Sequence, residues 1–331
     1  MKTFSSPFFW LVLLVVGGIS LLPILMNNAS LREDMFLMLM LVTLASSVNI
    51  IMGYTGYVSF GHIVYFGIGG YVSFYLMQNF DVNVFLAALA GGATASLIAF
   101  LIGTPVLRLR GAYFALATIG INEAMRAFVS NFPPFGASIG MLFPFSAYDP
   151  YGGGKNAQQL AYYAMIGIAL LTIATSFIIK KSKFGLGLMA IREDQDAAMV
   201  LGINPARAKV ITYAISAFFP GLAGTFFFFK NGTILPEVAF ELWRSIEALV
   251  MVMLGGYGTV TGPIVGAFVY DRLKSFLITA PPIPLGFATI NLSNAHLVIA
   301  GALLLLIVLF VTAGVIGWLR QRFPAVRRYL E

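Results

Sequence analysis

Charge is missing from this sequence in long blocks, and that absence limits the fold more than any other feature. Residues 3–31, 35–80, 82–107, 156–179, 210–229, 248–270 and 275–319 contain no Asp, Glu, Lys or Arg. A helix needs about 20 mainly apolar residues to cross a bilayer, so several of these blocks are long enough for two crossings. Of the 331 residues, 59% are hydrophobic and only 10% charged. A soluble domain has about a quarter of its residues charged, and with so few charges such a domain could not cover its surface. The blocks are continuously apolar and do not alternate, which argues against a membrane β-barrel. The 34 glycines suit close packing of membrane helices. The expectation is therefore an all-α polytopic membrane protein, one transmembrane domain over residues 1–331. With no Cys in the chain, disulfides, thiol catalysis and Cys-ligated metals are excluded.

Spacing within the blocks places about ten segments (8–10), at 8–26, 35–52, 57–78, 84–103, 112–130, 160–179, 209–229, 244–257, 260–278 and 295–317. The first is too apolar and too long for a signal peptide and reads as a retained helix. The eighth is short and interrupted by Gly255, Gly256 and Gly258, the pattern of a broken or re-entrant helix, which membranes tolerate only where it is buried in protein or lines a cavity. Orientation follows from the basic residues. Lys2, Arg108, Arg110, the cluster Lys180, Lys181, Lys183, Arg192, Arg207 and Lys209, and the tail Arg320, Arg322, Arg327 and Arg328 fall on one side of this arrangement. The positive-inside rule makes that side cytoplasmic, with both termini inside. The loops at 131–159 and 279–294, nearly uncharged and rich in Pro, Gly, Asn and Ser, then face outward. On this reading the net charge of +7 is an orientation signal, and no nucleic-acid partner is implied.

The two halves share a pattern. Gly53-Tyr54-Thr55-Gly56-Tyr57-Val58 precedes one glycine-rich helix start, and Gly256-Tyr257-Gly258-Thr259-Val260 precedes another. Paired Gly-interrupted segments in corresponding places are the trace that an internal repeat leaves in transporters, and they point to the pathway; glycine-mediated helix packing is the alternative. The pathway and gating candidates are Asn49, Gly53, Thr55, Gly56, Ser59, Gly61, His62, Gly255, Gly256 and Gly258. His62 is the ionisable group of a long apolar run, hence either functional or hydrogen-bonded to a neighbouring helix. Glu123 and Arg126, three apart, are expected to pair and face the bundle interior. His296 is placed at a membrane interface, and Phe226–Phe229 at a lipid-facing end of the seventh segment.

The basic loop at 181–209 contains Arg192-Glu193-Asp194, then Ala197-Ala198, then Gly202-Ile203-Asn204-Pro205. It reads as two short helices, the acids near the start of the first, Gly202 closing a helix, and Asn204 and Pro205 opening the next. Such a loop is either a solvated connection or a knob that docks into a groove of another protein. No catalytic constellation is visible. Two distant His residues make no metal site, and Gly152-Gly153-Gly154-Lys155 lacks the spacing of a P-loop, so ATP hydrolysis is not expected of this chain.

Five blocks together carry a resemblance. The stretch 190–202 resembles the Arg-Ala-Ile-Arg-Glu-Asp…Ala-Ala…Gly-Ile-Asn pattern of branched-chain amino acid ABC permeases. Gly53-Tyr54-Thr55-Gly56-Tyr57-Val58-Ser59-Phe60-Gly61-His62 resembles their Gly-Tyr-x-Gly-x-x-Ser-x-Gly-His motif. Arg110-Gly111-Ala112-Tyr113-Phe114-Ala115, Gly221-Leu222-Ala223-Gly224 and Leu254-Gly255-Gly256-Tyr257-Gly258-Thr259-Val260-Thr261-Gly262-Pro263 resemble three further family motifs, in the family's order. The match is to the M-type of two related subunits. It departs at Gln195 and Asp196, and at Phe135-Gly136-Ala137-Ser138-Ile139-Gly140, where a Thr-Gly-Gly-rich turn is usual; the latter puts substrate identity in question.

The resemblance implies a multi-pass permease of the bacterial inner membrane that imports branched-chain or other small hydrophobic amino acids. It makes 181–209 the ATPase-coupling loop, with Arg192, Glu193, Asp194, Ala197, Ala198, Gly202, Ile203, Asn204 and Pro205 as contact residues. The implied partners are a homologous second permease subunit, two ABC ATPases that hold ATP and Mg, a periplasmic or lipid-anchored substrate-binding protein, and lipid. This chain is expected to bind no cofactor or metal. Within the family, urea or short amides are alternative cargo. An ion-coupled secondary transporter would need membrane-embedded acids, for which Glu123 is the candidate, and a membrane-embedded enzyme would need a clustered acid–base set.

Overall fold

Asparagine side chains open three of the long helices. Asn28 Oδ1 accepts the N–H of Leu31 at 3.1 Å, Asn83 Oδ1 that of Phe85 at 3.0 Å, and Asn204 Oδ1 that of Arg207 at 3.1 Å. Each satisfies a backbone donor that the first helical turn leaves unpaired. The computed structural model describes residues 7–279, 283, 284, 289, 290, 314, 316 and 317. In chain order the helices are α1 (Pro7–Leu25), α2 (Ala29–Thr55), α3 (His62–Phe80), α4 (Val84–Val106), α5 (Ala112–Ser130), α6 (Gly154–Lys181), α7 (Lys183–Glu193), α8 (Gln195–Val200), α9 (Pro205–Asn231), α10 (Pro236–Ala239), α11 (Leu242–Gly255) and α12 (Thr261–Thr279). Two-residue strands β1 (Met141–Leu142) and β2 (Thr233–Ile234) pair antiparallel, as do β3 (Ile283–Pro284) and β4 (Thr289–Ile290). Helices α2, α4, α6 and α9 are each long and apolar enough to cross a membrane. The protein is an all-α polytopic membrane protein.

Contacts divide the helix ends into two sets. At one end, Arg110 pairs with Asp196, Arg192 reaches the Gly53 carbonyl, and Lys209 reaches that of Leu107. This end gathers Arg108, Arg110 and the basic residues of the 180–209 segment. At the other, Gln78 donates to the Leu142 carbonyl, Tyr148 to that of Phe229, and Lys230 pairs with Glu33. The segment at 131–153 lies here.

Helix α9 is central, packed against α2, α3, α4 and α6. Gly69, Gly91 and Gly221 let the backbones of α3, α4 and α9 touch, the small-residue packing that membrane helices use. Ser73 ties the same three helices together, bonding Thr225 Oγ1 at 2.6 Å and the Ala87 carbonyl at 2.8 Å.

Several expectations need correction. Phe226, Phe227, Phe228 and Phe229 are all buried, not lipid-facing, because neighbouring helices enclose this part of α9 and its four phenylalanines meet rings of α3, α4 and the 143–151 segment. The third segment starts at His62 and not at residue 57, since 56–61 is non-helical. Helix α2 starts six residues before the expected 35. Glu123 and Arg126 do pair, at 2.6 Å, but about half of each side chain is exposed, so they do not face the interior of this chain. His296, Lys2, the tail from Arg320 onward, and nearly all of the segment 295–317 lie outside the described residues, as does most of the loop 279–294.

Candidate functional site at the junction of two glycine breaks

The two glycine-rich motifs meet in space. Asn49, fully buried on α2, donates from Nδ2 to the Thr259 carbonyl at 2.8 Å and accepts the Gly258 N–H on Oδ1 at 2.9 Å. One side chain thus satisfies two backbone groups of the α11–α12 turn, 210 residues away in sequence. Close approach explains the glycines. Gly258 has φ +75°, and a Cβ there would meet Arg192 Nη1 and the Gly53 carbonyl oxygen, while a Cβ on Gly53 would strike the Gly258 nitrogen. Thr259 Oγ1 closes the turn, donating to the Gly256 carbonyl at 2.7 Å and accepting the Gly262 N–H at 2.9 Å.

The other pathway candidates flank this point. Thr55 donates to the Ile51 carbonyl of its own helix at 2.6 Å, and Gly56 closes α2. Ser59 accepts the Gly61 N–H at 3.3 Å and lies 3.4 Å from the Tyr213 hydroxyl. Gly61 packs on Thr118 of α5. His62 Nε2 is 3.1 Å from Ser216 Oγ on α9, its ring edge-on to Tyr65 and Tyr213, while its Nδ1 is buried without a partner. Gly255, the last residue of α11, packs on Gly262, and Gly256 follows it in the turn. Asn49, Thr55, Ser59 and His62 are all buried, so the breaks are packed shut here.

The loop after α6 touches the same junction. Arg192, at the end of α7, donates from Nη1 to the Gly53 carbonyl at 2.9 Å, holds Glu193 at 2.8 Å, and stacks over the Tyr257 ring. The acids sit at the joint of α7 and α8, not near the start of the first helix: Asp194 Oδ1 accepts the N–H groups of Asp196 and Ala197 and caps α8. These bonds hold its carboxyl below the usual carboxylate range. Helix α8 ends in a Schellman motif, Ile203 N–H to the Ala198 carbonyl and Gly202 N–H to that of Met199, and Gly202 has φ +83°. Asn204 and Pro205 open α9 as expected. Beneath the loop, Leu188, Ile191 and Ala198 form an apolar cluster with Ile50, Tyr54, Ile179 and Phe219, so motion of the loop bears on the end of α2.

The two departures from the family pattern within the loop, Gln195 and Asp196, have partners. Gln195 Oε1 accepts from Lys209 Nζ at 3.1 Å and from the Tyr57 hydroxyl at 3.2 Å. Lys209 also donates to the Tyr57 hydroxyl at 2.7 Å and the Leu107 carbonyl at 2.8 Å. It is 2% exposed and among the described residues pairs with no carboxylate. Asp196 pairs with Arg110 at 3.1 Å.

Sequence reasoning missed three features. Ala198 is buried, and the residues after it, Met199, Val200 and Leu201, form a bare apolar run, the last two 87% and 77% exposed. A Met-Val-Leu run just before a helix-ending glycine in a basic loop was the available signal. Beside it a cavity of about 500 Å³ opens, lined by Arg108, Arg110, Gln195, Met199, Gly202 and Asn204 among others. The second is Lys209, counted only as a topogenic charge. The third is Glu247, 3% exposed on α11, which accepts from Trp243 Nε1, Tyr270 Oη and Lys274 Nζ at 3.1, 3.0 and 2.6 Å. It is a buried acid that joins α11 to α12.

Known proteins resemble the chain along most of its length. Residues 33–309 match the family described as branched-chain amino acid transport system, permease component. The high-affinity branched-chain amino acid transport system permease protein LivM of Escherichia coli K12 is 29% identical over 249 residues, covering 68% of this chain and 58% of that protein. The chain thus spans less than two thirds of the length of that relative. The corresponding LivH protein of Salmonella typhimurium is 28% identical over 306 residues, covering 83% of this chain and 93% of the relative. The autoinducer 2 import system permease protein LsrC of Photorhabdus luminescens is 30% identical over 115 residues, about a third of each chain. No solved structure matches. The match over residues 33–309, with both glycine breaks and the loop that contacts them inside it, shows that the chain belongs to the branched-chain amino acid transport system permease family.

Proposed function

We propose that this chain is the M-type membrane subunit of a bacterial ABC importer for branched-chain or other small hydrophobic amino acids. It lies in the inner membrane with both termini in the cytoplasm and pairs with a homologous second permease. Two ABC ATPases dock on the 181–209 loop, and a substrate-binding protein delivers cargo to the outward-facing loops 131–159 and 279–294. The observation that carries this reading is the bond from Arg192 to the Gly53 carbonyl. It joins the loop to the point where both glycine breaks meet. A partner seated on Met199, Val200 and Leu201 would pull or push α8, and through Arg192 and the Gln195–Lys209–Tyr57 bonds would part or close the breaks. ATP binding and hydrolysis on the partner supply the differential affinity for the two states that such a switch requires; the hydrolytic chemistry is the partner's.

Leu201→Asp tests the docking step. An exposed position leaves folding within about 0.5 kcal/mol. Loss of one buried apolar side chain at the interface removes about 1.5–3 kcal/mol, roughly a ten- to hundredfold weaker complex. The ATPases should cease to co-purify and leucine uptake should fall. Gly202→Val, strained at φ +83°, should act likewise. Retention of both co-purification and uptake in both variants would overturn the docking assignment. Uptake that survives ATP depletion but collapses with an uncoupler would instead favour ion coupling.

A further inference from the structure

Helix α5 presents a face that lipid cannot cover. The helix runs from the end where Arg110 meets Asp196 to the end where Phe128 stacks on Phe132 and Phe135 on Tyr71. Its 19 residues span about 28 Å at 1.5 Å per residue, long enough to reach across most of a bilayer beside α3. Only Phe114, Thr118, Asn122 and Val129 are buried. On the remaining surface sit Glu123 and Arg126, in contact at 2.6 Å with side chains 48% and 46% exposed. Gly120, Ala124 and Ala127 lie bare on the same side, and the space over Gly120 is open for at least 4 Å.

Charged side chains inside a membrane face a water-filled cavity or a polar partner. Among the described residues this pair has no second partner, and it lies one to two turns from the end that receives cargo in the function proposed above. Its chemistry is particular. A cation and an anion sit one helical turn apart, next to a strip of small residues with room for an apolar group. A zwitterionic α-amino acid with an aliphatic side chain is the complement of that surface: its carboxylate matches the guanidinium, its ammonium the carboxylate, and its side chain the strip over Gly120 and Ala124. The half-exposed contact between Glu123 and Arg126 is one that such a ligand can replace with two charge-assisted bonds of its own.

We propose that Glu123 and Arg126 form a binding site for the two charged groups of a zwitterionic amino acid on its way through the membrane, Arg126 taking the carboxylate and Glu123 the ammonium. The inference rests on the import function proposed above, and the test separates the two. The complex of this chain with its partner permease and ATPases is reconstituted in vesicles with the binding protein outside, and L-leucine uptake and ATP hydrolysis are measured together. If the unaltered complex moves no leucine, the functional reading fails before any variant is made. Given leucine uptake, Glu123→Gln and Arg126→Gln should each lower it at least tenfold while ATP hydrolysis stimulated by the loaded binding protein persists. The exchange of the two residues, Glu123→Arg with Arg126→Glu, keeps the intrahelical pair but reverses the charges that meet the ligand, and uptake should stay low. Wild-type uptake in the single variants, or full rescue by the exchange, would overturn the proposal, the latter because it marks the pair as structural. Should the single variants fail to assemble, the absence of cysteine offers an independent reading. Ala127→Cys should be labelled from the outside by a charged, impermeant thiol reagent in the assembled complex, and protection from that label overturns the water-facing path.

Discussion

Replacing Asn49 by alanine removes the one side chain that pairs with both backbone groups of the α11–α12 turn, the Gly258 N–H at 2.9 Å and the Thr259 carbonyl at 2.8 Å. Leaving a buried backbone group unpaired costs about 1–3 kcal/mol. Hydrogen bonds measured within membranes run lower, near 0.6 kcal/mol on average. Weighing the two, about 2 kcal/mol for the pair of bonds is the working figure, roughly a 30-fold shift in the balance between joined and parted breaks. The joined state is the one this shift weakens. The expected outcome is a complex that still hydrolyses ATP but moves much less leucine per ATP, because the closed junction no longer holds between strokes. Thr43→Val is the control on the same helix, since among the described residues Thr43 bonds only the Leu39 carbonyl of its own helix, and it should leave that ratio unchanged. A double-mutant cycle with Arg192→Ala sharpens the test. Both side chains act on the Gly53–Gly258 contact, so their effects should be non-additive by 0.5 kcal/mol or more, in the range typical of coupled neighbours, ~0.5–3 kcal/mol. An unchanged leucine-to-ATP ratio in Asn49→Ala, or strict additivity with Arg192→Ala, would refute the idea that the junction transmits the stroke.

Two further outcomes are expected. Gln195→Glu places a carboxylate against Lys209 and the Tyr57 hydroxyl; hydrogen bonds to charged groups exceed neutral ones by about 1 kcal/mol, so the melting temperature in detergent should rise by roughly 2 °C and transport should slow as the loop is held more tightly, a fall in melting temperature counting against the latch. Asp194→Ala removes the cap of α8, whose carboxyl is held below its usual range by the N–H groups of Asp196 and Ala197; a lowered folded-state pKa stabilises above the ordinary carboxylate pKa and is lost as pH falls through the lowered one, so the variant should be less stable than the parent at pH 7 in thermal unfolding, and the gap should close in strong acid.

Which parts of this were legible in the sequence follows from how far each signal reaches. Caps act within four residues, so Asn204, Pro205 and Gly202 announced the end of α8 and the start of α9. Uncharged length announced the spans. Facing is another matter. Phe226–Phe229 point in four directions around one helix, so no amphipathic stripe indicates whether lipid or protein surrounds them; the answer lies in α2, α3, α4 and α6, which close around α9. Glu123 and Arg126 show the converse. Their spacing of three foretells a pair, but the same pair would form whether it faced the bundle, water or a ligand.

The long-range bonds are the least visible in sequence and the most telling in function. Asn49 finds Thr259, Arg192 finds Gly53, and Lys209 finds Tyr57, each across more than a hundred residues. Polar groups confined in a membrane protein must be satisfied internally, and here Arg192 and Lys209 spend bonds joining the loop to the first break while Asn49 joins the two breaks to each other. Gln195, a residue that departs from the family pattern, takes part in that joining through Lys209 and Tyr57. A residue bonded across such a junction changes the energy of both states of the switch, whereas Thr43, bonded within α2, changes neither relative to the other. In the proposed switch the transport cycle should accordingly be tuned by Asn49, Arg192 and Gln195.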